Sequence, residues 1–278
     1  MPELPEVETV RRGLQKQLPG RKVLSAQVLR PDSVGHPSPA AFAKQVVGHR
    51  IISVERRGKY LLIHLDRGAG LSVHLRMSGR LIVMPEKKSK PGSHVRIILT
   101  MDGGTQLWFE DMRVFGRMWY VPPGKAFEDI VGGLAELGIE PLNGELDGKF
   151  LKAAFANRKQ PIKSALLDQT VIAGIGNIYA DESLHLSLIK PNKPASSLTA
   201  KQYETLAANI RQVLSQAIKL GGSSVRNYVD AEGVNGNYQR TAYVYGREGE
   251  PCLTCKKTAI TRIKLAGRSS HFCPHCQR

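Results

Sequence analysis

The first eighteen residues carry apolar side chains at helical spacing. Val7, Val10, Leu14 and Leu18 recur every three or four residues, and most positions between them are polar or charged. Pro19-Gly20 follows directly, and such a pair is typical of a helix end. The pattern predicts one amphipathic helix whose apolar stripe anchors the N-terminus to a domain.

Between Lys22 and Val121 the pattern changes to short runs rich in β-branched and aromatic residues. Turn signals such as Asp66-Arg67-Gly68, Ser78-Gly79 and Asp102-Gly103-Gly104 separate these runs. Many short strands without intervening helices predict an antiparallel β-sandwich or barrel. The clearest predicted strands are residues 51–54, 60–65, 81–83, 95–99 and 118–121.

Helical spacing returns in the second half of the chain, after a predicted linker at residues 138–142. Pro161 is expected to open one helix, and another is expected to follow Asn177. Thr199 with Gln202 three residues later forms a capping box, and Gly221-Gly222 ends that helix. The predicted buried positions are Phe150, Leu151, Ala154 and Phe155 in the first helix and Leu206, Ile210, Val213, Leu214, Ala217 and Ile218 in the last.

The charge balance of the 278-residue chain is strongly basic. Forty Lys and Arg residues against 24 Asp and Glu residues give a net charge of +16, which favours a polyanionic partner such as nucleic acid. Residues 86–92 are expected to form an exposed basic loop. No apolar run approaches the roughly 20 residues that span a bilayer, and acids stand where a signal peptide carries basic residues. We therefore expect a cytoplasmic protein without a membrane partner.

All four cysteines lie near the C-terminus, as Cys252-x2-Cys255 and Cys273-x2-Cys276 separated by 17 residues. This spacing predicts one closed, tetrahedral zinc site with a structural role, because four thiolates leave no open position for water. Residues 240–278 hold eight Lys and Arg residues and two Glu residues, and a basic hairpin fixed by a metal suits a nucleic-acid groove.

The N-terminus offers candidate covalent chemistry. If the initiator methionine is removed, the chain begins with the secondary amine of Pro2, and such amines form Schiff-base adducts with sugar or aldehyde carbons. Glu3 stands beside that amine and can pass protons during the addition. An ordinary helix start, with Pro5 in the first turn and Glu6 at its positive end, is the alternative interpretation.

Three further features carry weaker signals. Gly174-Ile175-Gly176-Asn177 precedes a helix, and its backbone N–H groups could bind a phosphate. Lys59 leads into an apolar strand, where a lysine is usually solvated. Arg113 and Phe115 stand two apart, so strand alternation would place them on one side, and with Met77 they could wedge into a base stack. A core phenylalanine beside a surface arginine is the alternative.

These features together resemble the formamidopyrimidine-DNA glycosylases, a family of bacterial base-excision repair enzymes. The resemblance runs the whole length of the chain. The residues that carry it are the start at residues 2–9, Arg57-Gly58-Lys59-Tyr60, residues 74–79, residues 174–180, Val244-Tyr245-Gly246-Arg247 and the four-cysteine finger.

The resemblance implies an α+β fold with three parts. Residues 1–137 would form a catalytic antiparallel β-sandwich flanked by helices, residues 138–237 a helix–two-turn–helix domain, and residues 238–278 a zinc-finger β-hairpin. Duplex DNA containing 8-oxoguanine or a formamidopyrimidine would bind in the cleft between the two main parts, to a monomer with one structural Zn²⁺. The target base would leave the stack before the chemistry.

The resemblance also implies residue roles. Pro2 would attack the sugar C1′ and form the Schiff base, Glu3 would donate a proton, Lys59 would assist β-elimination and Arg268 δ-elimination. The implied DNA contacts are His94, Arg113 and Lys159, and the adjacent Arg158 could take the place of Lys159. The phosphates around the extruded nucleotide would be contacted by His74, Asn177 and Arg268. Met77, Arg113 and Phe115 would fill the gap in the base stack, and the zinc ligands would be Cys252, Cys255, Cys273 and Cys276.

Two alternatives stay open from the sequence. An enzyme similar to endonuclease VIII would prefer oxidised pyrimidines, but that family typically has glycine where this chain has Leu4. A non-catalytic zinc-dependent DNA-binding protein would keep the charge and the finger without using Pro2. The family's loop over the extruded base corresponds to residues 223–237, which match only in part, so no base-reading residue is assigned.

Overall fold

The computed structural model describes residues 2–85, 90–223 and 237–278. Two compact units divide them: one holds residues 2–136 and 221–223, the other residues 137–220 and 237–278. The predicted three-part division at 137/138 and 237/238 stays a prediction. Most of the predicted basic loop at 86–92 and of the segment 223–237 lies outside the described residues.

The N-terminal unit combines four helices with nine strands within the described ranges. In chain order these elements are α1 (Leu4–Gln17), β1 (Val23–Val28), β2 (Val34–His36), α2 (Pro39–Gln45), β3 (Ile51–Arg57), β4 (Tyr60–Leu65), β5 (Gly70–His74), β6 (Gly79–Met84), β7 (Val95–Met101), β8 (Gln106–Asp111), β9 (Arg117–Val121), α3 (Phe127–Ile130) and α4 (Gly132–Ala135).

These strands form two sheets, with orders β1-β7-β8-β6 and β2-β9-β5-β4-β3. All pairs are antiparallel except β2 with β9. Buried side chains of both sheets join one apolar cluster, which includes Leu61 and Val73 from one sheet and Ile97 and Phe109 from the other. The predicted sandwich is thereby confirmed, because alternate residues of each strand face a shared core.

Helix α1 also follows the prediction. Val7, Val10, Leu14 and Leu18 are fully buried and belong to the sandwich core. The expectation of strands without intervening helices is wrong at α2. There the Ser38 hydroxyl accepts a hydrogen bond from the Ala41 N–H and caps a short helix, which buries Phe42.

The second unit is built around α8 (Ala200–Lys219), following α5 (Gly148–Phe155), α6 (Ile162–Leu166) and α7 (Asn177–Leu186). Its predicted capping box is confirmed: the Gln202 N–H donates to the Thr199 hydroxyl at 3.2 Å, and the Thr199 N–H donates to Gln202 Oε1 at 3.0 Å. Of the predicted core positions, Ile218, Phe150 and Ala154 are half-buried and the others are buried. No helix in the described part of the chain could cross a membrane.

A two-stranded hairpin, β10 (Thr261–Leu265) and β11 (Arg268–Phe272), completes this unit. It is fixed to the helices by hydrogen bonds to a buried ion pair, in which Lys163 Nζ on α6 lies 2.6 Å from Asp181 Oδ1 on α7. The same ammonium donates to the Ser269 carbonyl at 2.7 Å, and Asp181 Oδ2 accepts the His271 N–H at 2.9 Å. This pair could not be predicted from the sequence, because isolated Lys and Asp residues usually lie on the surface.

Candidate active site and DNA-binding surface

The N-terminal segment is held in place by the carboxylate of Glu6. Pro2 is buried and Glu3 is 3% exposed. Glu6 Oε2 accepts the Glu3 N–H at 2.8 Å, and its Oε1 accepts the Ser223 N–H at 2.6 Å. The helix-start interpretation of these residues is therefore correct, since α1 begins at Leu4. A helix start does not exclude a catalytic role for Pro2, because the helix fixes the position of the residues beside it.

Lys59 lies in the turn between β3 and β4, after Gly58, whose φ is 56°. It is only 7% exposed, so it is not the solvated lysine that strands usually carry at their ends. Arg56 donates to the Gly58 carbonyl at 3.0 Å and pairs with Glu8 on α1 at 3.2 Å. This chain of contacts ties the turn that carries Lys59 to the helix that follows Pro2.

Glu8 is the acceptor for three arginines, because Arg11 and Arg12 also pair with it at 2.8 and 2.9 Å. Burial acts to raise the pKa of the Glu8 carboxyl, but the hydrogen bonds and charges of these arginines outweigh it and hold that pKa below its usual value. The carboxylate therefore stays charged at neutral pH and keeps Arg56 in place.

His74, at the end of β5, is buried beside Lys59 and Arg76. Burial and these two cations lower its pKa to about 3, so the ring is neutral at physiological pH. Its Nδ1 accepts the Arg76 N–H at 3.0 Å, which leaves the ring proton on Nε2. Neutral His74 is thus a fixed N–H donor, a form suited to binding a phosphate oxygen.

Two neighbouring turns expose the three predicted wedge residues. Met77 lies between β5 and β6, and Arg113 and Phe115 lie between β8 and β9. Met77 is 46% and Phe115 48% exposed, so the core interpretation of Phe115 is wrong. The expected strand alternation of Arg113 and Phe115 is also wrong, since both lie in a turn, yet the guanidinium carbon of Arg113 still lies 4.8 Å from the Phe115 ring centroid.

The remaining predicted DNA contacts fall in both units. His94 is exposed just before β7, and its carbonyl accepts the Asp111 N–H at 2.9 Å. In the second unit Lys159 is exposed, whereas Arg158 pairs with Asp168 at 2.6 Å and lies over the Phe155 ring. Arg158 is thus held by contacts within its own unit, so Lys159 is the better candidate of the two for a DNA contact.

Asn177 begins α7, and Gly174 two residues before that helix's cap has a φ of 89°. The Oδ1 atom of Asn177 is buried and has no hydrogen-bond partner among the residues that the structure describes. A buried polar group without a partner is uncommon, so this end of α7 is a candidate for binding a ligand.

The four cysteines form a single cluster, with sulfur atoms within 4.8 Å of one another. The Lys257 N–H lowers the pKa of the Cys255 thiol to about 6, even though burial opposes it, whereas burial and the neighbouring thiols raise the pKa of Cys276. It is the crowding of four thiols around one point that suits a metal ion. Cys252 and Cys273 are fully buried. The residues therefore fit one structural zinc, as predicted. The four cysteines complete the site, so His271, whose ring contacts Asp181, is not needed as a zinc ligand.

Arg268 is exposed at the first position of β11, directly after the hairpin turn. Cys273 of the cysteine cluster directly follows β11, and Lys163 and Asp181 bind the β11 backbone. Both sets of residues therefore hold the hairpin that carries Arg268. The sequence identified the cysteines from their spacing but could not identify Lys163 or Asp181.

Three family models match the chain in order. They are the formamidopyrimidine-DNA glycosylase N-terminal domain at residues 1–118, the H2TH domain of the same enzymes at residues 137–229, and the zinc finger found in FPG and IleRS at residues 249–278. The fold and the cysteine cluster thus define a helix–two-turn–helix, zinc-finger type of DNA glycosylase.

Relatives and solved structures agree along the full length. A formamidopyrimidine-DNA glycosylase of Gloeobacter violaceus is 54% identical, covering 100% of this chain and 98% of the relative. A Lactococcus lactis Fpg mutant in complex with Fapy-dG-containing DNA has a TM-score of 0.91, 36% identity and 100% coverage of both chains. MutM (Fpg) from Thermus thermophilus has a TM-score of 0.88 and 38% identity, covering 99% of this chain and 98% of that one. The chain belongs to the formamidopyrimidine-DNA glycosylase family.

Proposed function

We propose that this protein removes oxidised purines, 8-oxoguanine and formamidopyrimidines, from duplex DNA and then cleaves the abasic site. Family membership sets the reaction class, and the Lactococcus lactis neighbour holds Fapy-dG-containing DNA. The observation that carries the proposal is the N-terminus: Pro2 and Glu3 are buried and fixed by Glu6. Glu6 forms a capping box with Glu3, as ordinary helix starts do, but its other oxygen also binds the Ser223 N–H, so one carboxylate holds the residues beside Pro2 against a segment that is distant in the sequence.

The reaction begins at Pro2 once Met1 has been removed. The secondary amine attacks the sugar C1′ while the bond from C1′ to the base breaks, and the base leaves with the bonding electrons and a proton. The C1′–O4′ bond then opens, Glu3 donates the proton that O4′ takes up, and an iminium joins Pro2 to the sugar. Lys59 then assists β-elimination of the 3′ phosphate, and Arg268 assists δ-elimination of the 5′ phosphate.

The remaining predicted residues bind the DNA. His74 donates from Nε2 to a phosphate beside the extruded nucleotide, and Asn177 and Arg268 contact phosphates as well. His94, Arg113 and Lys159 bind elsewhere on the duplex, which accords with the net charge of +16. Met77, Arg113 and Phe115 fill the gap that the extruded base leaves. Zinc holds the hairpin and takes no part in the chemistry.

Borohydride trapping tests this proposal. Borohydride reduces an iminium to a stable amine, so a duplex with one 8-oxoguanine should become covalently joined to the protein. A matched duplex with thymine glycol should give much less adduct. The opposite order would favour the endonuclease VIII-like alternative, and no adduct with either duplex, from protein whose N-terminal mass shows Pro2 first, would favour a non-catalytic DNA-binding protein.

Phe115→Ala is expected to weaken excision of a paired 8-oxoguanine while leaving thermal stability almost unchanged. Extruding a base costs a few kcal/mol of unpairing and unstacking, and a ring that enters the gap offsets part of that cost. Cleavage of an abasic site should suffer less, because there is no base to expel. Melting temperature and both activities would be measured on the one variant.

Two matched variants define the scale for that test. Leu24 is 53% exposed on β1, so Leu24→Ala removes an exposed apolar side chain far from the two turns and should change neither activity. Phe109 is fully buried, and Phe109→Ala should cost about 3–5 kcal/mol of stability. If Phe115→Ala behaved like Phe109→Ala, with parallel loss of both activities, the wedge role would be rejected.

A further inference from the structure

One buried carboxylate contacts both turns that expose the wedge residues. Asp111, the last residue of β8, is 0% exposed. Its Oδ1 accepts hydrogen bonds from the Ser78 hydroxyl and from the Arg113 N–H, the latter at 3.2 Å. Its Oδ2 accepts the Gly116 N–H at 2.7 Å. Ser78 follows Met77, and Arg113 and Gly116 flank Phe115 on either side.

The turn after Asp111 is strained and closely packed. Val114 has a φ of 57°, a conformation that is a genuine outlier for a β-branched residue. At Gly116, a Cβ atom would come within 2.6 Å of the Phe109 ring and 3.1 Å of Asp111 Oδ2, so only glycine fits there. Strain of this kind persists only where surrounding contacts impose it, and the two N–H groups that Asp111 binds lie on both sides of Val114.

The neighbouring turn is fixed at the same point. Gly79, directly after Ser78, pairs with Asp111 across β6 and β8, and its N–H donates to the Leu75 carbonyl at 2.9 Å. The Ser78 hydroxyl also accepts the Arg113 N–H at 3.1 Å. Ser78, Asp111 and Arg113 therefore form one small hydrogen-bonded network that spans the two turns.

We propose that Asp111 is a positioning residue, whose carboxylate holds the Met77 turn and the Arg113–Phe115 turn in one fixed arrangement so that they enter the DNA stack as a single unit. This inference rests on the proposed wedge function. Because the arrangement is already formed in the free protein, base extrusion does not have to order two separate loops, and the entropy of ordering them is not lost on binding.

Asp111→Asn is the main test, since it keeps the shape and removes half of the acceptor capacity. In either orientation the carboxamide presents its NH₂ group to a backbone N–H of the Arg113–Phe115 turn, that of Arg113 or that of Gly116, so this turn loses one of its two hydrogen bonds to residue 111. Excision of a paired 8-oxoguanine should fall about ten- to hundredfold, the range expected for losing hydrogen bonds to a charged group. Cleavage of an abasic site should change less than about threefold, so the ratio of the two activities is the diagnostic quantity.

Amide hydrogen exchange in the DNA-free protein measures the stability of this hydrogen-bonded network independently of enzyme activity. Exchange at Arg113 and Gly116 should accelerate in Asp111→Asn, while exchange in the core strand β7 should not. Ser78→Ala offers a milder variant that keeps the carboxylate and removes one bond to it. It should shift the activity ratio in the same direction by a smaller factor, which keeps the test valid if Asp111→Asn folds poorly.

A second substitution tests the strain argument. Val114→Gly lets the turn adopt its positive φ without cost, so adding it to Asp111→Asn should recover part of the lost excision. The positioning role would be overturned if the ratio of the two activities were unchanged in both Asp111→Asn and Ser78→Ala, whether both activities fall together or neither falls. The proposed glycosylase function fails separately, if the unaltered protein forms no borohydride adduct.

Discussion

Pro2→Gly should reduce lesion excision and the borohydride-trapped adduct by at least about a hundredfold. Glycine replaces the secondary amine with a primary one, whose adduct is an imine that need not carry a positive charge, and it frees the backbone that the proline ring fixes. The nucleophile thus loses its position and the obligatory charge of its adduct. Glu6 still binds the Glu3 N–H, so the helix start should survive. Single-turnover excision of 8-oxoguanine and the yield of trapped adduct measure the two losses.

Pro5 supplies the matched control, because it lies in the first turn of α1 and is also buried, yet carries no free amine. Pro5→Ala should keep most of the adduct yield. The N-terminal mass must show that Met1 has been removed from each protein before the comparison. Unaltered adduct yield in Pro2→Gly would show that another group is the nucleophile.

Cys255→Ser should remove the zinc and with it most of the affinity for DNA. A closed four-thiolate site owes its stability to all of its ligands, and the apparent binding energy of a structural zinc, about 10–16 kcal/mol in small fingers, is largely folding energy. Without the metal the hairpin would no longer hold Arg268 in place. Zinc content per chain and DNA affinity at fixed salt concentration are the two measurements.

His275 provides the control for that substitution, because it lies within the second knuckle and is exposed. His275→Ala should retain one zinc per chain and normal DNA binding. A metal-free Cys255→Ser protein that bound and cleaved damaged DNA normally would contradict the structural role assigned to the zinc.

Periodic patterns and paired motifs were the most predictable features of this chain. The stripe of Val7, Val10 and Leu14 determined α1, and Thr199 with Gln202 determined where α8 begins. Both signals are local, since a helix face repeats every three to four residues and a capping box spans four. The cysteine spacing was equally local and equally informative.

Buried charges were the least predictable. Glu6, Asp111 and Lys163 are each buried, and each binds groups that lie far away in the sequence or in a neighbouring turn. A charged residue is ordinarily a surface residue, so only the tertiary structure reveals that these three hold backbone segments. Phe115 is the converse: an aromatic residue is ordinarily buried, and only the fold shows that a turn exposes it.

The ion pair between Lys163 and Asp181 has a consequence for how the second unit comes apart. Lys163 and Asp181 each bind the backbone of β11, through the Ser269 carbonyl and the His271 N–H. Because hydrogen bonds to buried charged groups are costly to break, strand β11 cannot peel from α6 and α7 by small steps. We expect the hairpin and the helices to open as one cooperative unit, with hydrogen exchange at Ser269 and His271 as slow as in α7. Arg268 therefore moves with a rigid block of protein, and heating would release it in a single transition shared with the helices.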